Sequence, residues 1–170
     1  MAKTLYLVTS GAPTTDTETL PDLVQLLTAD SWDITVVSTP TGERFHNLEA
    51  IGKLTGEPVR TKFRLPGTGK SLPPPDVILA CPWSFNSTNR TALGLADTFA
   101  VALLCEMIGR NVPTFIVPKA GQALAQHPAF DRSLRALEEI PSVNVLYDPA
   151  RRLPPWGEVA NALTPTTGGR

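Results

Sequence analysis

Five short apolar runs, LYLVT (5–9), ITVVS (34–38), VILAC (77–81), TFIVP (114–118) and VNVLY (143–147), constrain this chain more than any other feature. Each run is continuous rather than alternating, so a strand built from it carries apolar side chains on both faces. That pattern suits parallel strands buried on both sides. Between the runs lie segments with helical spacing: TETLPDLVQLLTA, NLEAIGKLTG, NRTALGLADTFAVALLCEMIG and QALAQHPAFDRSLRALEEI. Strand and helix in alternation predict an α/β domain with a parallel sheet and right-handed crossovers. A length of 170 residues with 42% hydrophobic content fits one domain with a substantial core and is too short for two ordinary ones.

A formal net charge of -1 leaves no dominant basic surface for nucleic acid or an anionic membrane. The opening MAKTLYLVTSG has one Lys, and Thr9, Ser10 and Gly11 cut its apolar run too short for a signal peptide or a membrane span. The expectation is a cytoplasmic protein. Cys81 and Cys105 lack metal-ligand spacing and are expected to be buried thiols, Cys105 as part of the core. One segment breaks the alternation: EPVRTKFRLPGTGKSLPPPD (57–76), dense in Pro, Gly and basic residues, is a loop long enough to be functional or mobile. Its PGTGKS ends like a phosphate-binding P-loop, but Arg64 stands where that motif needs Gly, and LPPPD cannot open a helix. Residues 164–170 are expected to be a disordered tail, leaving 1–163 as the single domain.

Ligands of open parallel sheets bind outside the carboxyl ends of the strands. The segments there read TSGAPTT, STPTGERF, PWSFNSTNR and PKAGQ. The first three are rich in hydroxyls, amides and glycines, neutral groups suited to a phosphate at helix N-termini and to a heteroaromatic ring, and poorly suited to a metal. The same residue types are also ordinary N-caps, which any α/β protein needs at these junctions.

The third segment and its continuation, PWSFNSTNRTALGLAD, resemble the PASANT motif and following K-x-A-x-G-x-A-D helix of the flavin-containing cysteine decarboxylases. Pro82, Ser84, Asn86, Ala92, Gly94, Ala96 and Asp97 fall in register, with Arg90 where that family usually has Lys. STPTGERF resembles the family's T-x-x-A-x-x-F loop through Thr39 and Phe45, and VPKAGQALAQHPAFDRSLRAL resembles its substrate-clamp segment through Pro118, His127, Pro128, Arg132 and Leu134. The family includes phosphopantothenoylcysteine decarboxylases and peptidyl-cysteine decarboxylases of lantibiotic biosynthesis. The resemblance implies a Rossmann-like, flavodoxin-like three-layer domain with a parallel sheet of five or six strands. It implies FMN as cofactor and a homo-oligomer, a trimer or a dodecamer of trimers. Cofactor contacts would come from Ser10, Gly11, Thr39, Phe45, Pro82, Ser84, Asn86 and Ser87, with Asn86 also catalytic and with no metal. The implied reaction is oxidation of a cysteine-type thiol to a thioaldehyde, which then loses carbon dioxide.

The departures point the other way. The family's decarboxylases carry an essential His before the third strand, where this chain has RTKFRLPGTGKSLPPPD; Phe63 or Arg64 falls at that place. The clamp motif PAMN reads Pro118-Lys119-Ala120-Gly121, and YDPARRLPPWGE lacks the Cys of the phosphopantothenoylcysteine enzymes, which disfavours a role in coenzyme A synthesis. Arg64, Lys70 and Lys119 are candidates for an anion-binding set, Arg64 and Lys119 toward the substrate, or are solvated surface charges. His46 reads as a solvated loop residue and His127 as a helix-side or capping histidine. Trp83 and Phe85 either stack against a flavin or fill a subunit contact. Asp97, within an apolar helical run, is expected to pair with a specific partner, such as the next subunit. The sequence therefore supports an FMN-dependent decarboxylase-like enzyme acting on a thiol-bearing peptide or small molecule. Its alternatives are an FMN-binding protein without that activity, and an α/β domain that has lost flavin and acts through protein contacts.

Overall fold

The computed structural model describes residues 2–151 and 153–164; from residue 165 on, the expected tail lies outside the described residues. The elements run β1 (Lys3–Thr9), α1 (Leu20–Ala29), β2 (Trp32–Ser38), a 3-10 turn (Pro40–Arg44), α2 (Leu48–Thr55), β3 (Val77–Ser84), α3 (Phe85–Leu93), α4 (Phe99–Gly109), β4 (Thr114–Lys119), α5 (Gln122–Ala125), α6 (Pro128–Glu138), β5 (Val143–Val145) and α7 (Trp156–Leu163). All five apolar runs hold strands, the last only over Val143–Val145, with Leu146 and Tyr147 beyond its end. The strands form one sheet in the order β2-β1-β3-β4-β5, every pair parallel, which is the flavodoxin-like arrangement.

The central strands β1, β3 and β4 are apolar on both faces because the sheet is covered on both; the edge strand β5 is not, since Asn144 is exposed between Val143 and Val145. Leu5, Leu7, Leu79 and Val117 pack with Leu20, Leu23 and Leu27 of α1, Ile51 of α2, and Trp156 and Val159 of α7. Their strand neighbours Tyr6, Val8, Ile78, Ala80 and Ile116 face the other way, onto Ala100, Val101, Leu104 and Met107 of α4 and Leu137 of α6. Alternate residues of a strand point to opposite faces, so a continuous apolar run is what a doubly covered sheet requires.

The helices differ from the sequence reading in one respect that shapes the site. The segment 89–109 does not form a single helix. It is the end of α3 and the whole of α4, separated by Gly94, whose left-handed backbone (φ 70) caps α3, and by Thr98, whose hydroxyl accepts from the Val101 N–H to open α4. Asp97 therefore sits on an exposed connection rather than inside an apolar helix, and its partner is Arg90 of the same chain, at 2.6 Å. Likewise the segment 122–140 breaks at His127-Pro128 into α5 and α6. Pro at the first position of a helix costs nothing, because its missing N–H would have no acceptor there.

The long segment 57–76 is stitched down at both ends. Arg60 pairs with Val37 beside β2. Tyr6 donates to the Pro73 carbonyl, and Asp76 exchanges two hydrogen bonds with the Thr4 backbone. Its exposed centre turns at Gly67 and Gly69, where Arg64 donates to the Gly69 carbonyl at 3.1 Å. Among the described residues no helix is long and apolar enough to cross a membrane.

Candidate functional site

The strand order reverses between β1 and β3, and ligands of such sheets sit at that switch point, beyond the strand ends. A cleft with about 370 Å³ open to water-sized groups lies there, within the usual range for small-molecule sites. Gly11 and Thr41 form one wall, Ser84, Asn86 and Ser87 another, and Lys119 to Gly121 close the far side.

The β3 end is built irregularly. The β3–β4 ladder runs Ala80↔Ile116 and resumes at Trp83↔Pro118, so two residues, Cys81 and Pro82, oppose one. Their peptide bond is cis. Such a bulge takes backbone groups out of the ladder, as bulges beside binding sites often do. The Pro82 carbonyl accepts instead from the Ser10 hydroxyl at 2.8 Å, and the Ser84 N–H donates back to Ser10 Oγ at 2.9 Å. Ser10 is fully buried beneath the cleft and ties the end of β1 to the end of β3.

Ser84 then opens α3 as its N-cap, accepting from the Ser87 N–H at 3.1 Å. First-turn N–H groups have no acceptor within their own helix, so those of Phe85 and Asn86 are left for another acceptor. Thr39 caps the neighbouring 3-10 turn through the Gly42 N–H. The two loops touch closely: a Cβ on Gly11 would lie 2.5 Å from Thr41 Cγ2 and 3.4 Å from the Phe45 ring. A side chain at position 11 would therefore have to push Thr41 aside. Thr98, opening α4, adds a second helix N-terminus to the lining.

No carboxylate side chain is among the residues lining the cleft, whereas Arg90 and Lys119 are. Arg90 is shared with Asp97 and Asn86; its Nε–H donates to Asn86 Oδ1 at 3.1 Å. The donor set, neutral hydroxyls and amides with backbone N–H groups and cations, fits a phosphorylated heteroaromatic ligand. Among the described residues no group of three His, Cys, Asp or Glu side chains comes together as a metal cluster would.

Other sequence candidates lie elsewhere. Arg64 is in the long loop and does not line the cleft. Trp83 neither faces the cleft nor the surface. It is wholly buried in the core and donates from Nε1 to Thr91 Oγ1 at 3.0 Å. Phe85 lines the cleft and stacks on Phe130, with centroids 6.0 Å apart. His46 is buried rather than solvated, because the tight turn at Gly42 carries it under the first loop, where its Nε2–H donates to the Ser10 carbonyl at 3.0 Å. Burial lowers its pKa, the Ser10 carbonyl opposing in part. His127 caps α6, its Nδ1 accepting from the Ala129 N–H at 3.0 Å. Burial raises the pKa of both thiols, the direction that makes them poor nucleophiles. A smaller hollow behind β4 and β5 is bordered by Arg151, whose charge is met by Asp148 and Glu158.

Sequence reasoning overlooked Thr41 and Thr98 and did not place Arg90 in the site. For Thr98 a signal existed: Gly94 followed by Asp97-Thr98 is a C-cap glycine and then an N-cap, hidden by the apolar residues on either side.

A family model described as Flavoprotein matches residues 2–167. Solved structures share the fold at low sequence identity. The FMN binding protein AtHal3 is 16% identical, with a TM-score of 0.75 over 96% of this chain and 95% of its own. The FMN-dependent cysteine decarboxylase SpaF is 20% identical, with a TM-score of 0.70 over 95% of both chains. The epidermin biosynthesis protein EpiD from Staphylococcus aureus is 16% identical, with a TM-score of 0.70 over 95% of this chain and 100% of its own. No curated protein matches this chain in sequence.

Proposed function

The chain belongs to the flavoprotein family, and on that premise we propose that residues 1–163 form one FMN-binding domain. Its activity is an oxidative, decarboxylase-like reaction on a cysteine-type thiol carboxylate, either a peptide or a small molecule. The observation that carries the cofactor is the donor set at the β1/β3 switch point: neutral hydroxyls, amides and helix N-termini, two cations and no carboxylate. FMN presents a phosphate and a ring edge of alternating donors and acceptors, which such a set matches. Gly11, Thr39 and the structure beneath them held by Ser10 would serve the phosphate side. Ser84, Asn86 and Ser87, with Pro82 just before them, would serve the ring and substrate, and Phe45, whose ring lies near Gly11, would contact the cofactor from the second loop. When bound, FMN supplies a two-electron oxidant; the protein's part is to hold the thiol and carboxylate in place, for which Lys119 is a cation at the cleft.

A second reading, FMN binding without decarboxylation, has its own support. The chain has two histidines, and both are engaged structurally, His46 on the Ser10 carbonyl and His127 as a helix cap. One copy of the chain thus brings no histidine to the cleft. A homo-oligomer, trimeric or dodecameric and cytoplasmic, belongs to the same proposal.

The visible spectrum of the purified protein, with mass spectrometry of what heat releases, tests the cofactor. A yellow protein releasing FMN is expected; a colourless one that takes up no added FMN overturns the reading. Anaerobic incubation with C-terminal-cysteine peptides and acyl-cysteines tests the chemistry. Bleaching of the flavin with release of carbon dioxide is expected, and its absence across the panel leaves the second reading standing.

A further inference from the structure

Residues four apart on a helix share a face, so Asn86 and Arg90 of α3 are neighbours, and both line the cleft. The Arg90 Nε–H donates to Asn86 Oδ1 at 3.1 Å, and its NH1 pairs with Asp97 Oδ2 at 2.6 Å. In an unbroken helix Asp97 would stand about 10.5 Å further along the axis. The left-handed turn at Gly94 instead brings the chain back, with the Leu95 N–H on the Arg90 carbonyl at 2.8 Å, and returns Asp97 to the guanidinium.

From this arrangement we propose that Arg90, anchored by Asp97, is a positioning residue that fixes which way the Asn86 amide faces. A guanidinium has donors only, so it can meet only the oxygen of the amide. The amide nitrogen, with its two hydrogens, is turned away from Arg90, and Asn86 meets a ligand as a donor. It therefore selects a ligand with an acceptor atom at that point, a ring carbonyl or ring nitrogen or a carboxylate oxygen. A lysine would supply a mobile point charge in place of the planar fork, which spans Asn86 and Asp97 at once. The identity of the ligand rests on the FMN reading above; the Arg90–Asn86 link does not.

The experiment has two arms. In ¹⁵N-labelled ligand-free protein, the Asn86 side-chain amide resonances, identified by their loss in Asn86→Ala, are expected to shift in Arg90→Met, to shift less in Asp97→Asn, and to return toward the native position in Arg90→Lys. Unmoved resonances in Arg90→Met, in a protein whose far-UV circular dichroism is native, overturn the proposal. In the second arm FMN binding is followed by quenching of its fluorescence. Arg90→Met is expected to weaken binding about tenfold, the scale of one charge-assisted hydrogen bond, and to cause no further loss in the Asn86→Ala background. An equal loss in both backgrounds shows that Arg90 acts without Asn86 and overturns the proposal. If the native protein binds no FMN, the cofactor reading fails, and the amide resonances still decide whether Arg90 orients Asn86.

Discussion

Gly42 sits where the second loop turns back under the first, and a methyl group there tests how tightly the two are packed. A Cβ on Gly42 would fall 2.1 Å from Ser38 Oγ and 3.5 Å from Ser38 Cβ. The first distance is impossible and the second is ordinary contact, so the hydroxyl alone is in the way. Ser38 is fully buried and donates to the Thr39 carbonyl at 2.8 Å. In Gly42→Ala the hydroxyl must rotate and surrender that bond. Burying a hydroxyl without its partner costs about 1–3 kcal/mol. For a protein of this size that lowers Tm by about 2–12 °C, at about 2–4 °C per kcal/mol. Urea denaturation gives the cost as a fall in midpoint at constant m. The decisive comparison is the same substitution in Ser38→Ala, where nothing remains to collide. There Gly42→Ala should cost close to nothing, whereas a purely backbone effect would persist unchanged. An equal cost in the two backgrounds would refute the steric argument.

Three further outcomes follow from the same region. Burial holds the pKa of His46 below its ordinary value, so as pH falls through about 6.5 the unfolded chain takes up a proton before the folded one does and stability drops, while above that pH the contribution is constant. Urea midpoints between about pH 7.5 and about pH 5 should therefore fall more steeply in the native protein than in His46→Gln, which keeps a donor for the Ser10 carbonyl; parallel curves would contradict this. Ser10→Ala removes the partner of both the Pro82 carbonyl and the Ser84 N–H, at a cost of about 1–3 kcal/mol, and should weaken FMN binding as well because Ser84 opens α3. Unchanged denaturation and unchanged FMN titration would show that the tie between β1 and β3 is dispensable. Trp83→Phe leaves the Thr91 hydroxyl without its indole donor and should lower the urea midpoint with little effect on FMN affinity, since Trp83 lies in the core.

The sheet was legible because its signal is local. The runs of the central strands must be apolar on both faces to lie in a doubly covered sheet, and that requirement is written in consecutive residues. That hydroxyl and amide residues at these junctions serve as N-caps was legible in general terms, since a cap satisfies backbone groups two or three residues away, and Ser84 and Thr39 are the residues that do so. The split of the apolar stretch 89–109 was harder to read. Its apolar residues serve two helices in succession, and Gly94 decides between one helix and two only through a left-handed backbone that sequence periodicity does not register.

The sequence by itself determined the parallel α/β architecture, the strand ends at which polar loops gather, and the family resemblance carried by Pro82 to Asp97. Only the tertiary structure decided what those polar groups do. Ser10 and Pro82 lie 72 positions apart and His46 lies 36 from Ser10, so no pattern along the chain could show that a hydroxyl would tie two strands or that a loop histidine would be buried. Arg90 and Asp97 meet because a turn returns the chain on itself. Hydrogen bonds of this kind depend on the distance between groups in space, which the folded sheet sets and a one-dimensional pattern does not.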